Sequence, residues 1–131
     1  MKSHRARMSC LIALALLLLP SAWAEELYIP AAAHTSGVGD TLWRTDLEVK
    51  ARGAEAATFT LDLLPEGQDN SAPTSASFSV AAGACLRLED ALASAFTFDG
   101  TAALRLRPTS GAVLVTSRTY NDDPDGTYGQ Y

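Results

Sequence analysis

The sequence predicts an all-β fold: an antiparallel β-sandwich of seven or eight short strands with one short helix. Three observations carry this reading. Apolar and polar residues alternate with a period of two in successive segments, most cleanly where Trp43, Thr45, Leu47 and Val49 interleave with Arg44, Asp46, Glu48 and Lys50. Such alternation belongs to strands packed on one face and wet on the other. Clusters of Gly, Pro, Asn and Asp recur at the roughly 8–12-residue spacing of sandwich turns. Finally, Gly111 to Tyr131 joins a β-branched run through Val113, Val115 and Thr116 to the breaker string N-D-D-P-D-G, the strongest hairpin signal in the chain. A small barrel is the main rival, since it needs the same strands.

Before the first strand comes an export address. Lys2, Arg5 and Arg7 precede the wholly apolar run Leu11 to Leu19, and Pro20 and Ser21 break it ahead of Ala22-Trp23-Ala24, a small-x-small cleavage site. The run is too short to span a bilayer, and Cys10 lies before it, where no lipoprotein cysteine sits. The expected product is residues 25–131, secreted or periplasmic, with no membrane span after cleavage. It holds seven basic and fifteen acidic residues, a formal charge of −8. Such a surface repels phosphate backbones, which excludes nucleic acid as a natural partner.

Glu26 to Ala31 reads as a short first strand that Pro30 confines to an edge or a strand end, with Ala31 to Asp40 as a loop. Thr41 to Lys50 is the clean alternating strand. After a turn at Gly53, Thr58 to Leu64 repeats the pattern, with Phe59, Leu61 and Leu63 inward and Thr58, Thr60 and Asp62 outward. A meander pairing between these two strands is the natural expectation. Pro65 to Pro73 is a polar loop. Ser75 to Val80 alternates again, and Cys85 to Leu88 makes a short strand. Glu89 to Phe96 is the one helical candidate: acidic residues open it, and Leu92 and Phe96 share a face. Asp99-Gly100 then turns into Ala102 to Arg107, which leads through Pro108 to Gly111 into the last hairpin.

Cys85 is the only cysteine after the leader, so no internal disulfide is expected. A buried, inert thiol is the plain expectation for a free cysteine. A bridge to another chain is the second reading, and a catalytic thiol the third, because Ala84 and Leu86 bring no activating charge.

With Y-I-P-A-A-A-H-T-S-G-V-G-D-T-L-W-R-T-D-L at one end and S-R-T-Y-N-D-D-P-D-G-T-Y-G-Q at the other, the chain resembles an uncharacterised bacterial secreted and cell-surface module. The pattern is I-P-x-x-x-H, W-x-T-D-L, S-R-T-Y-N and G-T-Y-G-Q, matched here from Ile29, Pro30 and His34 through Trp43 and Asp46 to Arg118, Asn121, Gly126 and Gln130. The resemblance implies an immunoglobulin-like sandwich with a binding or structural role. Such modules continue past the G-Q, which implies a last strand cut short at Tyr131.

Three groups of side chains invite a chemical reading. Asp46 and Arg118 are expected to form a cross-strand ion pair that also fixes His34, a fold staple rather than a zinc or catalytic centre, which would want a second histidine. Asn121, Asp123 and Asp125, followed by Gly126, fit the first half of a calcium loop, although Pro124 interrupts it and a solvated turn explains the same residues. Tyr28, Tyr120 and Tyr128 could form a stacking platform for sugars, or sit half-buried with their hydroxyls at the rim. No G-x-S-x-G elbow, H-E-x-x-H helix or phosphate-cradling glycine loop occurs. The expectation is therefore a non-enzymatic extracellular structural or interaction module with no resident cofactor, calcium being the one ion considered. A glycan-binding module and a small secreted hydrolase built on His34 are the alternatives. An open edge strand near the end of the chain adds self-association as an expectation.

Overall fold

The computed structural model describes residues 25–130; the segment read as a leader and Tyr131 lie outside the described residues. Eight strands and one helix follow in order: β1 (Leu27–Ser36), β2 (Leu42–Arg52), β3 (Ala57–Pro65), β4 (Thr74–Val80), β5 (Cys85–Leu88), α1 (Ala91–Phe96), β6 (Gly100–Ser110), β7 (Ala112–Asp122) and β8 (Tyr128–Gln130). Every pairing is antiparallel. The hydrogen-bonded order is β4-β3-β6-β1-β2-β7-β8, with β5 added to β2, so the sheet is open rather than closed.

The expected β2–β3 meander does not form. β7 lies along the whole of β2 from Leu42 to Arg52, and β1 and β5 occupy the other edge of β2. With both edges taken, β3 pairs instead with β6 and β4. Gly53, at φ 97, supplies the left-handed turn that takes the chain away from β2.

β1 is longer than expected and enters the residues read as a loop. It pairs with β6 from Leu27 to His34 and with β2 through Thr35 and Ser36. The register shifts between Ile29 and Ala32, placing Pro30 in a bulge where its missing N–H costs no ladder bond. Beside that bulge a chain of side-chain bonds joins β1 to β2 and β7. The Ala33 N–H donates to Thr45 Oγ1 at 2.8 Å, Thr45 Oγ1 meets Thr119 Oγ1 at 2.9 Å, and Thr119 Oγ1 donates to Ala31 O at 3.2 Å. Thr45 is fully buried, and this chain satisfies its hydroxyl, as burial requires.

One core collects side chains from β1 to β7 and from α1: Ile29, Leu47, Val49, Phe59, Leu61, Leu92, Leu104, Leu106 and Val113, with Leu86, Phe78 and Phe96 against it. The inward positions expected on β3 are all buried. Three face assignments fail: Asp46, expected in water, is buried at 8% exposure. Trp43 shares parity with Leu47 and Val49 yet is 38% exposed, because it lies at the end of β2 beyond the core. Asp62, expected in water, is 0% exposed.

α1 starts two residues later than its acidic opening suggested. No acidic residue lies in its first turn, and Asp90, at the N-cap, is left-handed (φ 48) with no capping bond from its own side chain. Thr97, at φ 52, ends the helix by returning its N–H to Ala93 O at 2.9 Å. Leu92 is buried and Phe96 packs on the core, as their four-residue spacing predicts.

Cys85 is free and exposed, which corrects the expectation of a buried thiol. β5 is a four-residue strand on one edge of β2, too marginal to bury its first residue.

Candidate functional site

Asp46 is the centre of a polar cluster that draws on β2, β5, β7 and the start of α1. The β2–β7 register sets it opposite Arg118, as the sequence suggested. The short ion pair on its carboxylate, however, comes from Arg87 of β5, whose Nη2 lies 3.1 Å from Oδ2. The Asp90 N–H donates to Oδ1 at 2.9 Å, and the Tyr120 hydroxyl reaches the same oxygen at 3.4 Å. Burial, reinforced by the Asp46 charge, pushes the Tyr120 phenol up. Arg118 Nη2 reaches Thr127 Oγ1 at 3.3 Å, and its guanidinium lies 4.9 Å from the centre of the Tyr120 ring. Arg118 thus faces Asp46 in register, while the clamp on the carboxylate comes from a residue sequence reasoning had passed over. These residues line a depression of about 230 Å3 with Glu48, Thr116 and Ser117.

His34 is fixed by Asp90 rather than Asp46. Its Nδ1 lies 2.8 Å from Asp90 Oδ2 and 3.0 Å from Oδ1. Arg44 Nε is 3.5 Å from Asp122 Oδ2 and 3.9 Å from Asp90 Oδ2, close enough for attraction but without a formed hydrogen bond. Asp90 therefore ties β1 and β2 to the start of α1 through both its backbone and its side chain. A left-handed aspartate costs on the order of 1 kcal/mol or more, and these bonds hold it there. The arrangement is a clamp. Asp46→Ala strands the Asp90 N–H, and the expected loss is about 2 kcal/mol in denaturant unfolding. In double-mutant cycles Asp46→Asn should be strongly non-additive with Arg87→Met.

A second clamp escaped sequence reasoning. Asp62 Oδ2 accepts from Arg105 Nε and Arg107 Nε, both at 2.8 Å, while Oδ1 accepts from Arg107 Nη2 at 2.9 Å and from the Ser75 hydroxyl at 2.6 Å. Arg107 is bidentate, the strongest form of such a pair. Its bond, opposed by burial and helped by Ser75 and Arg105, lowers the Asp62 pKa from 3.8 to about 2. The alternation Leu104-Arg105-Leu106-Arg107 was the available signal, since it puts two arginines on one strand face. It pointed nowhere while β3 was paired with the wrong strand.

The three tyrosines do not share a platform. Tyr28 lies opposite Arg105 in the β1–β6 ladder, is 56% exposed and donates to Glu26 Oε2 at 2.8 Å. Tyr120 and Tyr128 lie on β7 and β8, with Tyr120 half-buried and Tyr128 69% exposed. Asn121 sits within β7 between Trp43 and Tyr128, whereas Asp123 Oδ1 accepts the Asp125 N–H at 2.8 Å, closing an Asx turn. Among the described residues no three His, Cys, Asp or Glu side chains are placed to hold a metal ion.

The β1 bulge opens a groove that sequence alone did not reveal. On one side a cleft of about 580 Å3 is lined by Pro30, Ala33, Leu64, Pro65 and Ala103; on the other a hollow of about 490 Å3 is lined by Trp43, Tyr128 and Gly129. Ala31 and Thr119 border both, so the two are contiguous. Small alanines leave the space, and the exposed Trp43 and Tyr128 flank it.

No family model matches the chain, and no curated protein does. Its structure is similar to the crystal structure of Thermotoga maritima 1070, with a TM-score of 0.64 and 14% identity over 82% of this chain and 89% of that one. At that identity the likeness concerns the fold alone.

Proposed function

We propose that residues 25–131 form a secreted, non-enzymatic interaction module, an immunoglobulin-like sandwich of the bacterial envelope or exterior that binds its partner in the groove beside the β1 bulge. The single core shared by β4, β3 and β6 with β2, β5 and β7 supports the sandwich reading. The observation that carries the functional reading is the exposed pair Trp43 and Tyr128 on a contiguous, mostly apolar groove. Aromatic side chains bring large contact area at low entropic cost and dominate binding hot spots. The charged side chains of the two clamps, by contrast, are engaged with one another. His34 is tied to Asp90 and Asp46 to Arg87, an arrangement suited to holding strands.

A glycan is the second reading, favoured by the same two rings, which offer flat faces for sugar stacking beside the Thr119 hydroxyl; calcium held near Asn121, Asp123 and Asp125 would be its assisted form.

Trp43 is the sole tryptophan of residues 25–131, so its emission reports the groove without interference. The chain should retain a ligand from an array of glycans and extended envelope peptides, with the Trp43 emission shifting on titration. Trp43→Ala should weaken that binding at least tenfold while circular dichroism stays unchanged. Retention untouched by Trp43→Ala would move the site elsewhere, and turnover of any substrate would refute the non-enzymatic reading.

A further inference from the structure

Thr74 to Val80 reads T-S-A-S-F-S-V, seven residues with no charge, no proline and no glycine. They form β4, which ends the strand order and pairs with β3 in an unbroken register from Val80 to Thr74. Exposed edges are ordinarily blunted by lysine, proline, a bulge or a covering element. β4 has none of the first three. No described strand pairs with its outer edge, although α1 packs close to it. The Phe78 ring is stacked on the buried Phe59 at 5.4 Å yet remains only half-buried.

Charge argues in the same direction. With fifteen acidic against seven basic residues after the leader, two copies repel through most of their surface. The neutral β4 edge is where that opposition is weakest.

We propose that β4 is a self-pairing edge, which a second copy of this chain extends by adding its own β4 antiparallel about a two-fold axis at Ser77. In that register Ala76 opposes the partner's Phe78, Ser75 the partner's Ser79 and Thr74 the partner's Val80. Side-chain parity is conserved across the axis, so the inward residues of both copies continue one apolar layer. A small alanine facing a large ring fills the space beside Phe78, and serine faces serine on the wet side. The contact is isologous and closes at two copies. No β4 residue lines the groove of Trp43 and Tyr128, so pairing leaves that groove free and doubles its valency.

Sedimentation of residues 25–131 from micromolar to millimolar concentration, in the presence of reductant, should show a monomer–dimer equilibrium. Ser77→Lys, which sets two like charges on the axis, should raise the dissociation constant at least tenfold without changing the circular dichroism. Ser77→Cys in a Cys85→Ser background should oxidise to a covalent dimer, whereas Thr127→Cys in the same background should not. A monomer throughout the series overturns the proposal. So does a dimer that Ser77→Lys leaves intact, which would assign association to another surface such as β8, or one seen only without reductant, which would assign it to Cys85.

Discussion

Replacing Phe59 by alanine is expected to remove about 3–5 kcal/mol of unfolding free energy, the usual range for truncating a buried phenylalanine. A domain of this size holds roughly 5–15 kcal/mol in all, so the variant should sit near the edge of folding. Phe59 is 1% exposed at the middle of the core. Its loss removes transfer free energy and opens a cavity that neighbouring strands cannot collapse into, because β4 and β6 fix β3 on both sides. It also removes the stacked partner of Phe78, worth about 0.5–1.5 kcal/mol beyond area alone. Phe59→Leu keeps most of the volume and should lose less than half as much. Urea unfolding at constant slope is the measurement; equal losses in the two variants would show that the site needs the aromatic ring itself rather than the volume it fills.

Asp62→Asn is expected to lower stability at neutral pH by about 2 kcal/mol, the free-energy equivalent of its carboxyl shift, and the loss should depend on pH. The folded pKa of Asp62 lies at about 2, below its ordinary 3.8. Its contribution is therefore fully present above about pH 4 and disappears as the pH falls through about 2. Wild type and variant should converge across that interval, the wild type alone steepening toward acid. Asp62→Ala should cost more, because it also leaves the Ser75 hydroxyl and both guanidinium groups short of an acceptor. A constant difference between wild type and Asp62→Asn from pH 7 to pH 2 would assign the effect to shape rather than charge.

Strand positions and most inward residues were legible in the sequence because a period of two is a local property. Phe59, Leu61, Leu63, Leu104 and Leu106 all lie where alternation puts them. Neighbour choice was not legible, since nothing in Thr58 to Leu64 says which strand will lie beside it. That single uncertainty hid the Asp62 clamp. It also hid Arg87, which reaches the Asp46 carboxylate from the edge of β2 opposite the Arg118 register. Pro30 was read as marking an edge or a strand end because a bulge that absorbs a proline needs knowledge of the partner strand. Trp43 was read as core because alternation marks the face of a strand but not where along it the core stops.

The pairing of β1 with β6 and of β2 with β7 joins residues near 30 and 47 to residues near 104 and 117. Neither of the first two strands finds these mates until the ribosome has passed position 110. Folding must then close long loops before these contacts form, which places this chain among slow, non-local topologies. The two halves of the sheet are therefore joined only when nearly the whole polypeptide has been made.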